Sequence, residues 1–441
     1  MPTISLFEHQ SIFVGDSFKD ISRLTDVIFE STHYNALANR LGKNDEEAFP
    51  FYSLAKDRGR DGIRFKQYVG VIQTKNLTIE ILPKTDKGDE KAQYWKKILL
   101  TMLCQVYNLN IRSIDQTSQR LRKSSILDLF ILRFLDETDR LIHTGLIKAY
   151  RMEDENLSTL KGKLILSKHF AKNAFHRERF FVRHTVYDQG HIMNRILRQT
   201  LSCISGSSVS TFLQQRAANC LAFFPELDPV TVTEDLFSRL VYDRKSEDYR
   251  EAMTLAQLIL FNNMPDLSSG KYETMAMLFD MNRLWEQFVY VTLRKYLPDY
   301  TVKDQVRRDF WESPLRIIKP DIVIRNDNDL YILDTKWKVP RNSSPSDADL
   351  HQMYVYYKYF DAKGVALVYP DAEHRTDPVV PGSFTDDTVG GPIKTASCDM
   401  MFLPVPDDGF KVRAWQDEIV GVVQDWLKRV EGLFTGIPLT Q

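Results

Sequence analysis

Apolar positions change their period along this chain, and the changes divide it into three regions. Over residues 1–84 short apolar runs alternate with glycines and charges, ending in Tyr68–Gln73 and 77–82 around a Thr74-Lys75-Asn76 turn, which predicts strands. From Asp89 the period becomes helical, with Trp95, Ile98, Leu99, Met102, Leu103 and Val106 on one face. A second helix is expected from Ser124 or Ser125, both suitable N-caps, carrying Leu127, Phe130, Ile131 and Phe134 against the first. The stretch 151–265 holds a helix with Ile192, Ile196 and Leu197 and ends at a break, Met264-Pro265-Asp266. It reads as a helical connecting domain. From about 267 the order is helix, strands, helix, a strand at 365–369 and a last helix at 412–433, with 376–397 a polar surface loop. The expected fold is mixed α/β and multidomain: a strand-rich amino-terminal domain (1–150), a helical middle region (151–266) and a carboxy-terminal α/β domain (267–441).

The chemistry concentrates in 319–338, KPDIVIRNDNDLYILDTKWK. Two apolar runs, 317–324 and 330–333, flank Asn326, Asp327, Asn328 and Asp329, a turn-forming cluster, so a β-hairpin is expected. Alternation along the second strand sends Asp334, Lys336 and Lys338 to one side and Leu333, Thr335 and Trp337 to the other. Asp321 interrupts the apolar pattern of the partner strand, and the short turn brings it beside Asp334. Two carboxylates about 4 Å apart at an effective dielectric near 20 repel by about 4 kcal/mol, which a divalent cation turns into attraction. An oxygen-preferring ion such as Mg²⁺ suits this donor set. Lys336 is then placed to orient or deprotonate a water for attack on a phosphodiester. The competing reading is a strand edge with solvated charges; Asp327 and Asp329 are read as turn formers.

Pro320, Asp321, Asp334, Thr335 and Lys336 together resemble the PD-(D/E)xK nuclease signature, with Asp in place of the commoner Glu. The resemblance implies a restriction-endonuclease-like domain with Asp321 and Asp334 as metal ligands and Lys336 as catalytic lysine. Gln352 and Tyr356, four residues apart and so on one helix face, resemble the helix that follows this core; Met281 to Phe288 resembles the helix preceding it, where Glu286 would assist the metal. A surface ion pair is the alternative for Glu286, ordinary packing for Tyr356. Further segments narrow the resemblance to the McrC family, the nuclease subunits of McrBC-type restriction systems. These are Leu77-Thr78-Ile79-Glu80-Ile81-Leu82-Pro83-Lys84, Leu160-Lys161-Gly162-Lys163-Leu164, and Tyr187 through Leu197 (YDQGHIMNRIL). Membership implies a Mg²⁺-dependent DNA endonuclease subunit that works with an AAA+ GTPase hexamer of the McrB type, which recognises double-stranded DNA and moves along it. It also implies that the amino-terminal portion stimulates the partner's GTPase. Pairing of nuclease subunits across complexes would serve double-strand cleavage.

Composition sharpens this division of labour. No G-x-x-x-x-G-K-[ST] occurs, so this chain is not expected to hydrolyse nucleotide alone, in keeping with the resemblance, which implies that GTP is bound by the partner and not by this chain. A net charge of −1 does not mark a freestanding DNA binder, so DNA contact is expected to be local or shared. The nearest cations to the chemistry are Lys338 and Arg341. A second candidate DNA surface is Arg177, Arg179 and Arg183, interleaved with Phe175, Phe180 and Phe181, unless these form a strand with one buried face. Arg58, Arg60 and Arg64, around Gly59 and Gly62, form a basic loop suited to the partner ring, or simply a solvated loop. Cys104, Cys203, Cys220 and Cys398 lie far apart with no C-x-x-C, which suggests neither zinc nor disulfides and fits a cytoplasmic location; no run approaches the roughly 18 apolar residues of a membrane span. Two other functions stay open: a GTPase-activating interaction subunit with a weak or dormant nuclease core, and an autonomous repair-type nuclease, which would cut without a partner.

Overall fold

The computed structural model describes residues 2–19, 25–41, 51–74, 76–83, 92–109, 125–207, 209–262, 275–326, 329–340, 344–371, 374–384 and 396–435. By packing, the chain forms two compact units, each assembled from separate stretches. One comprises Met1–Thr3, Val71–Thr78 and Lys123–Met277; the other comprises Ile4–Gly70, Ile79–Arg122 and Leu278–Gln441. Residues of 1–150 therefore fall in both units, and the chain passes between them within the strands Tyr68–Gln73, Thr78–Leu82 and Met275–Asp280.

In the first unit, Ser125 caps the helix Ile126–Thr144 in a capping box with Asp128, as the expected cap position requires. Helices Thr211–Leu221 and Arg250–Asn262 pack on it, Ile192–Gly206 packs on those two, and Arg133 clamps Glu251 through two bonds of 2.8 and 2.9 Å. The middle region is not purely helical, however. Ala149–Leu157, Lys163–Leu164 and Phe180–Asp188 form a three-stranded antiparallel sheet with Phe180–Asp188 at its centre. The aromatic and basic residues of 175–184 thus include a strand with Phe181, Val182 and His184 buried and Arg183 exposed, a period of two masked by its flanking loop. Gly162 lies at φ +80° against the Arg183 carbonyl, where a Cβ would collide with backbone, which accounts for glycine between two lysines. Asn194, fully buried, donates to the carbonyls of Ile147 and Gln189 (both 2.8 Å) and accepts from Tyr249 Oη at 2.9 Å. Its place in the YDQGHIMNRIL segment is therefore structural.

The second unit contains a small sheet of Ser11–Phe13, Arg60–Phe65 and Tyr52–Asp57, the helix Ala92–Val106, and a larger mixed sheet that carries the site. Glu80, in the fully buried strand Thr78–Leu82, meets Lys96 of that helix at 2.7 Å, a buried ion pair that explains the one acid in an apolar run. The larger sheet runs in the order Thr301–Asp304, Ile322–Asn326, Asp329–Thr335, Gly364–Asp371, Ala396–Pro404, Val379–Val380. Its first three strands are antiparallel; Gly364–Asp371 joins them in parallel across the crossover helix Asp347–Phe360, and Ala396–Pro404 adds in parallel beyond it. Ile332 faces that helix in a cluster with Met353, Tyr356 and Phe360. Tyr331, one step along, alternates to the other side and meets Trp426 of the last helix, Val412–Thr435, ring to ring at 5.9 Å. Burial on both faces makes Gly364–Asp371 a continuous apolar run rather than an alternating one. The segment read as a polar loop holds two short strands, Val379–Val380 and Ser383–Phe384, paired to Ala396–Pro404; 385–395 lies outside the described residues, as do Met264, Pro265 and Asp266. The four cysteines are buried. Among the described residues no helix is long and apolar enough to cross a membrane.

Candidate active site

The expected hairpin is present, shorter than its apolar run. Residues 315–318 pair instead with Arg308–Glu312, Lys319-Pro320-Asp321 leave the sheet, and the site strand begins at Ile322. Proline at 320 lacks the N–H a ladder needs, which accounts for the break. Ile322 pairs with Leu333, so one step further places Asp321 across from Asp334 on the same face. Asp321 Oδ2 accepts from Thr335 N–H (2.7 Å) and Thr335 Oγ1 (3.0 Å). Strict alternation sent Thr335 away from Asp334, but the strand ends at Thr335 and the chain turns there, so its hydroxyl reaches the site.

Asp334 is 1% exposed. Its Oδ1 accepts from Gln352 Nε2 at 3.2 Å; its Oδ2 lies 2.7 Å from Lys336 Nζ, an ion contact whose angles do not make a hydrogen bond. Lys336 is fixed by its own N–H on the Val368 carbonyl at 2.8 Å, and its Nζ also approaches Gln352 Oε1 (3.4 Å) and Asp349 Oδ1 (3.8 Å). Gln352 donates to Tyr356 Oη at 2.8 Å, and that hydroxyl donates to the Lys319 carbonyl at 3.2 Å. Residues four apart on Asp347–Phe360 thus both face the carboxylates.

Glu286, on the helix Met281–Tyr296, is buried rather than paired at the surface. Its Oε1 accepts from Gln305 Nε2 at 2.8 Å; Gln305 Oε1 in turn accepts from Lys319 Nζ at 3.0 Å, and Gln305 N–H donates to the Asp321 carbonyl at 2.9 Å. Gln305, Thr335, Asp349 and Lys319 are parts of the site that no spacing rule singles out. Gln305 sits at φ +47° just after a strand, where no sequence signal marks it.

Electrostatically the site is under tension. Burial, and then the charge of Asp321, pushes Glu286 up to about 7. The same two causes raise Asp334 to about 6. Asp321 is raised by burial against the opposing bonds from Thr335. Lys336 is disfavoured as a cation by burial, yet Asp334, Asp349 and Asp321 together hold its pKa above the usual lysine value. Among the described residues no three His, Cys, Asp or Glu form a metal-enclosing group. The two facing carboxylates, with an Asp334 oxygen lacking a hydrogen-bond donor, fit a hard cation that draws its other ligands from water and substrate phosphate. No full protein cage is needed.

The remaining candidates are placed as follows. Lys338 is bound to Asp349 at 2.7 Å, beside the site, and Arg341 lies outside the described residues. Arg177 and Arg179 are exposed in the first unit, and Arg183 there grips Asp154 through two bonds of 2.6 and 3.0 Å. The basic loop of the amino-terminal part is a tight hairpin, because Arg58 (φ +47°) and Gly59 (φ +81°) complete a turn between Tyr52–Asp57 and Arg60–Phe65. Arg58 is exposed at the tip, Arg60 meets Asp16 at 2.6 Å, and Arg64 donates to Ser11 Oγ at 3.3 Å.

These features define a multidomain mixed α/β protein with a buried carboxylate-and-lysine site at the end of a sheet strand. A family profile described as the McrBC 5-methylcytosine restriction system component matches residues 63–370, and the chain belongs to that family. The McrC resemblance of its motifs falls within it. No curated protein matches. Among solved structures, a chain of the refined half-complex from a tetradecameric assembly of Thermococcus gammatolerans McrB AAA+ hexamers with bound McrC superposes with a TM-score of 0.66. The identity is 18%, covering 96% of this chain and 100% of that one. A chain of the cryo-EM structure of the Thermococcus gammatolerans McrBC complex is similar at a TM-score of 0.48 and 17% identity, over 81% of this chain and 99% of that one.

Proposed function

We propose that this chain is the Mg²⁺-dependent DNA endonuclease subunit of an McrBC-type restriction complex, with a PD-(D/E)xK nuclease core. It cuts double-stranded DNA when assembled with an McrB-like AAA+ GTPase hexamer, whose GTP hydrolysis it stimulates, in defence against foreign, methylated DNA. The observation that carries the reading is the convergence of Asp321, Asp334, Lys336 and Gln352 from a hairpin and one helix. Asp321 and Asp334 would hold the ion, with Glu286 beside them. Mg²⁺, when bound, supplies positive charge to the scissile phosphate and acidifies a water. Lys336 keeps a proton close to where the attacking oxygen and the phosphate must meet, and Gln352 orients both Asp334 and Lys336. Residues 1–150 are assigned to stimulation of the ring, 151–266 to the connection and 267–441 to cleavage.

The family match and the complex containing bound McrC both support a partnered enzyme. The test is cleavage of methylated and unmethylated duplex by this protein with Mg²⁺, alone and with an McrB-like partner plus GTP. Cutting only in the full mixture is expected; cutting alone would favour the autonomous nuclease, and GTPase stimulation without cutting the activator.

A further inference from the structure

Between Gln305 and Lys319 the chain leaves the sheet as a two-stranded ribbon, Arg308–Glu312 with Leu315–Ile318, that is exposed over almost its whole length. Both ends are tied to the proposed site. Gln305 N–H bonds the Asp321 carbonyl at the entry, and Asp321 follows Ile318 by three residues at the exit. The base is braced on the helix that presents Gln352 and Tyr356: Arg308 donates to the Tyr359 carbonyl (3.0 Å), Tyr359 Oη donates to the Asp309 carbonyl (2.9 Å), and Phe310 meets Tyr359 edge to face at 5.5 Å. A ribbon held this firmly at its root and left bare at its tip is unusual for packing alone.

Its outer part is apolar and cationic together. Trp311 is 60% exposed, Leu315 58% and Ile317 46%. Trp311 is paired across the ribbon with Arg316, so ring and guanidinium share a face. Arg307, Arg308, Arg316 and Lys319 stand against only Asp309 and Glu312, a local cationic excess in a chain of net charge −1. Arg307 and Arg316 make no hydrogen bond or ion pair among the described residues. At the ribbon's root Lys303, Arg308 and Arg325 line one cleft of about 130 Å³. Positive charge therefore continues from the ribbon along the sheet.

Resting on the nuclease reading above, we infer that the ribbon 308–318 is a DNA-contacting arm. Trp311 wedges against base pairs in a groove of the duplex while Arg316 and Arg307 hold flanking phosphates, which registers the scissile phosphate on Asp321 and Asp334. Unpaired guanidiniums beside an exposed indole, tethered at both ends to a phosphodiester site, fit duplex DNA better than a protein surface.

The full-length chain, assembled with its AAA+ partner and GTP, would carry Trp311→p-benzoylphenylalanine and be irradiated with an end-labelled methylated duplex. Cross-linking to DNA is expected; cross-linking only to the partner, only to a second copy, or to nothing overturns the arm. In an Asp334→Asn background, Trp311→Ala with Arg316→Ala should weaken duplex binding about ten-fold, and Trp311→Phe should retain it. Unchanged binding by the double variant also overturns the inference. In cleavage assays the double variant should lower kcat/KM about ten-fold, in step with the loss of duplex binding. Failure of the nuclease reading shows separately, as cleavage persisting in Asp334→Asn itself, because cross-linking and binding do not depend on cutting.

Discussion

Asp154 and Asp334 are the same residue type, each on a strand and each beside a basic side chain, yet their surroundings drive them in opposite directions. Asp154 is solvent-facing and held by Arg183 and Lys168, which keep its carboxyl well below the usual range. Asp334 touches Lys336, but burial and the facing charge of Asp321 outweigh that contact and raise it to about 6. An acid paired in water is satisfied, whereas an acid buried against another acid awaits a cation. The difference separates a structural ion pair from the group on which the proposed chemistry rests, although both segments look comparably charged in sequence.

The largest expected effect breaks the comparison directly. Asp334→Ala should lower partner-dependent DNA cleavage by roughly a thousand-fold or more while GTPase stimulation persists, whereas Asp154→Ala should leave cleavage near the wild-type rate. Retained cleavage in Asp334→Ala would sink the proposed site; loss of GTPase stimulation in it would argue against separate roles. Next comes the support of the Asp154 strand. Gly162→Ala, forced to a left-handed φ against the Arg183 carbonyl, should destabilise the protein by about 2 kcal/mol, visible as an earlier transition in urea.

The pH response sharpens the contrast. Asp334 moves from 3.8 to about 6 on folding and Glu286 from 4.5 to about 7, so both bind protons more tightly in the folded state. Their protonation therefore favours the folded form, and that contribution is lost as pH rises through roughly 6 to 7. The metal-free protein should melt at a higher temperature near pH ~5.5 than near pH ~8 on account of these groups. Glu286→Gln should flatten the trend, and added Mg²⁺ should raise the melting temperature most at the alkaline end. A melting profile indifferent to Glu286→Gln would show that its raised pKa does not contribute. The smallest effect belongs to the exposed pair: Arg183→Ala should shift the melting temperature by only about a degree, because exposed ion pairs contribute little.

How much of this was readable beforehand depended on the range of the interactions involved. The pattern predicts a helix over 412–433, and the structure has Val412–Thr435; it offers Ser124 or Ser125 as a cap, and Ser125 is the one used. The carboxylate hairpin followed from turn chemistry and alternation within twenty residues. Local patterns fail where the chain departs from regular geometry. Pro320 ends the expected long strand, Thr335 turns back into the site, and the middle region hides a sheet whose central strand pairs with two others across the intervening helix Leu166–Asn173. The basic clusters were legible as charge but not as partners, since Arg183 finds Asp154 and Lys338 finds Asp349 only in space.

The sequence alone determined the residues of the proposed chemistry, the absence of a nucleotide-phosphate loop and the family, because each is written in short, contiguous spacing. Only the tertiary structure decided which of those residues are under tension. Burial of Asp334, the Glu286–Gln305–Lys319 chain of bonds and the bracing of the 308–318 ribbon on the helix Asp347–Phe360 come from contacts between segments apart in sequence. Desolvation depends on everything packed around a group, and no local pattern records that.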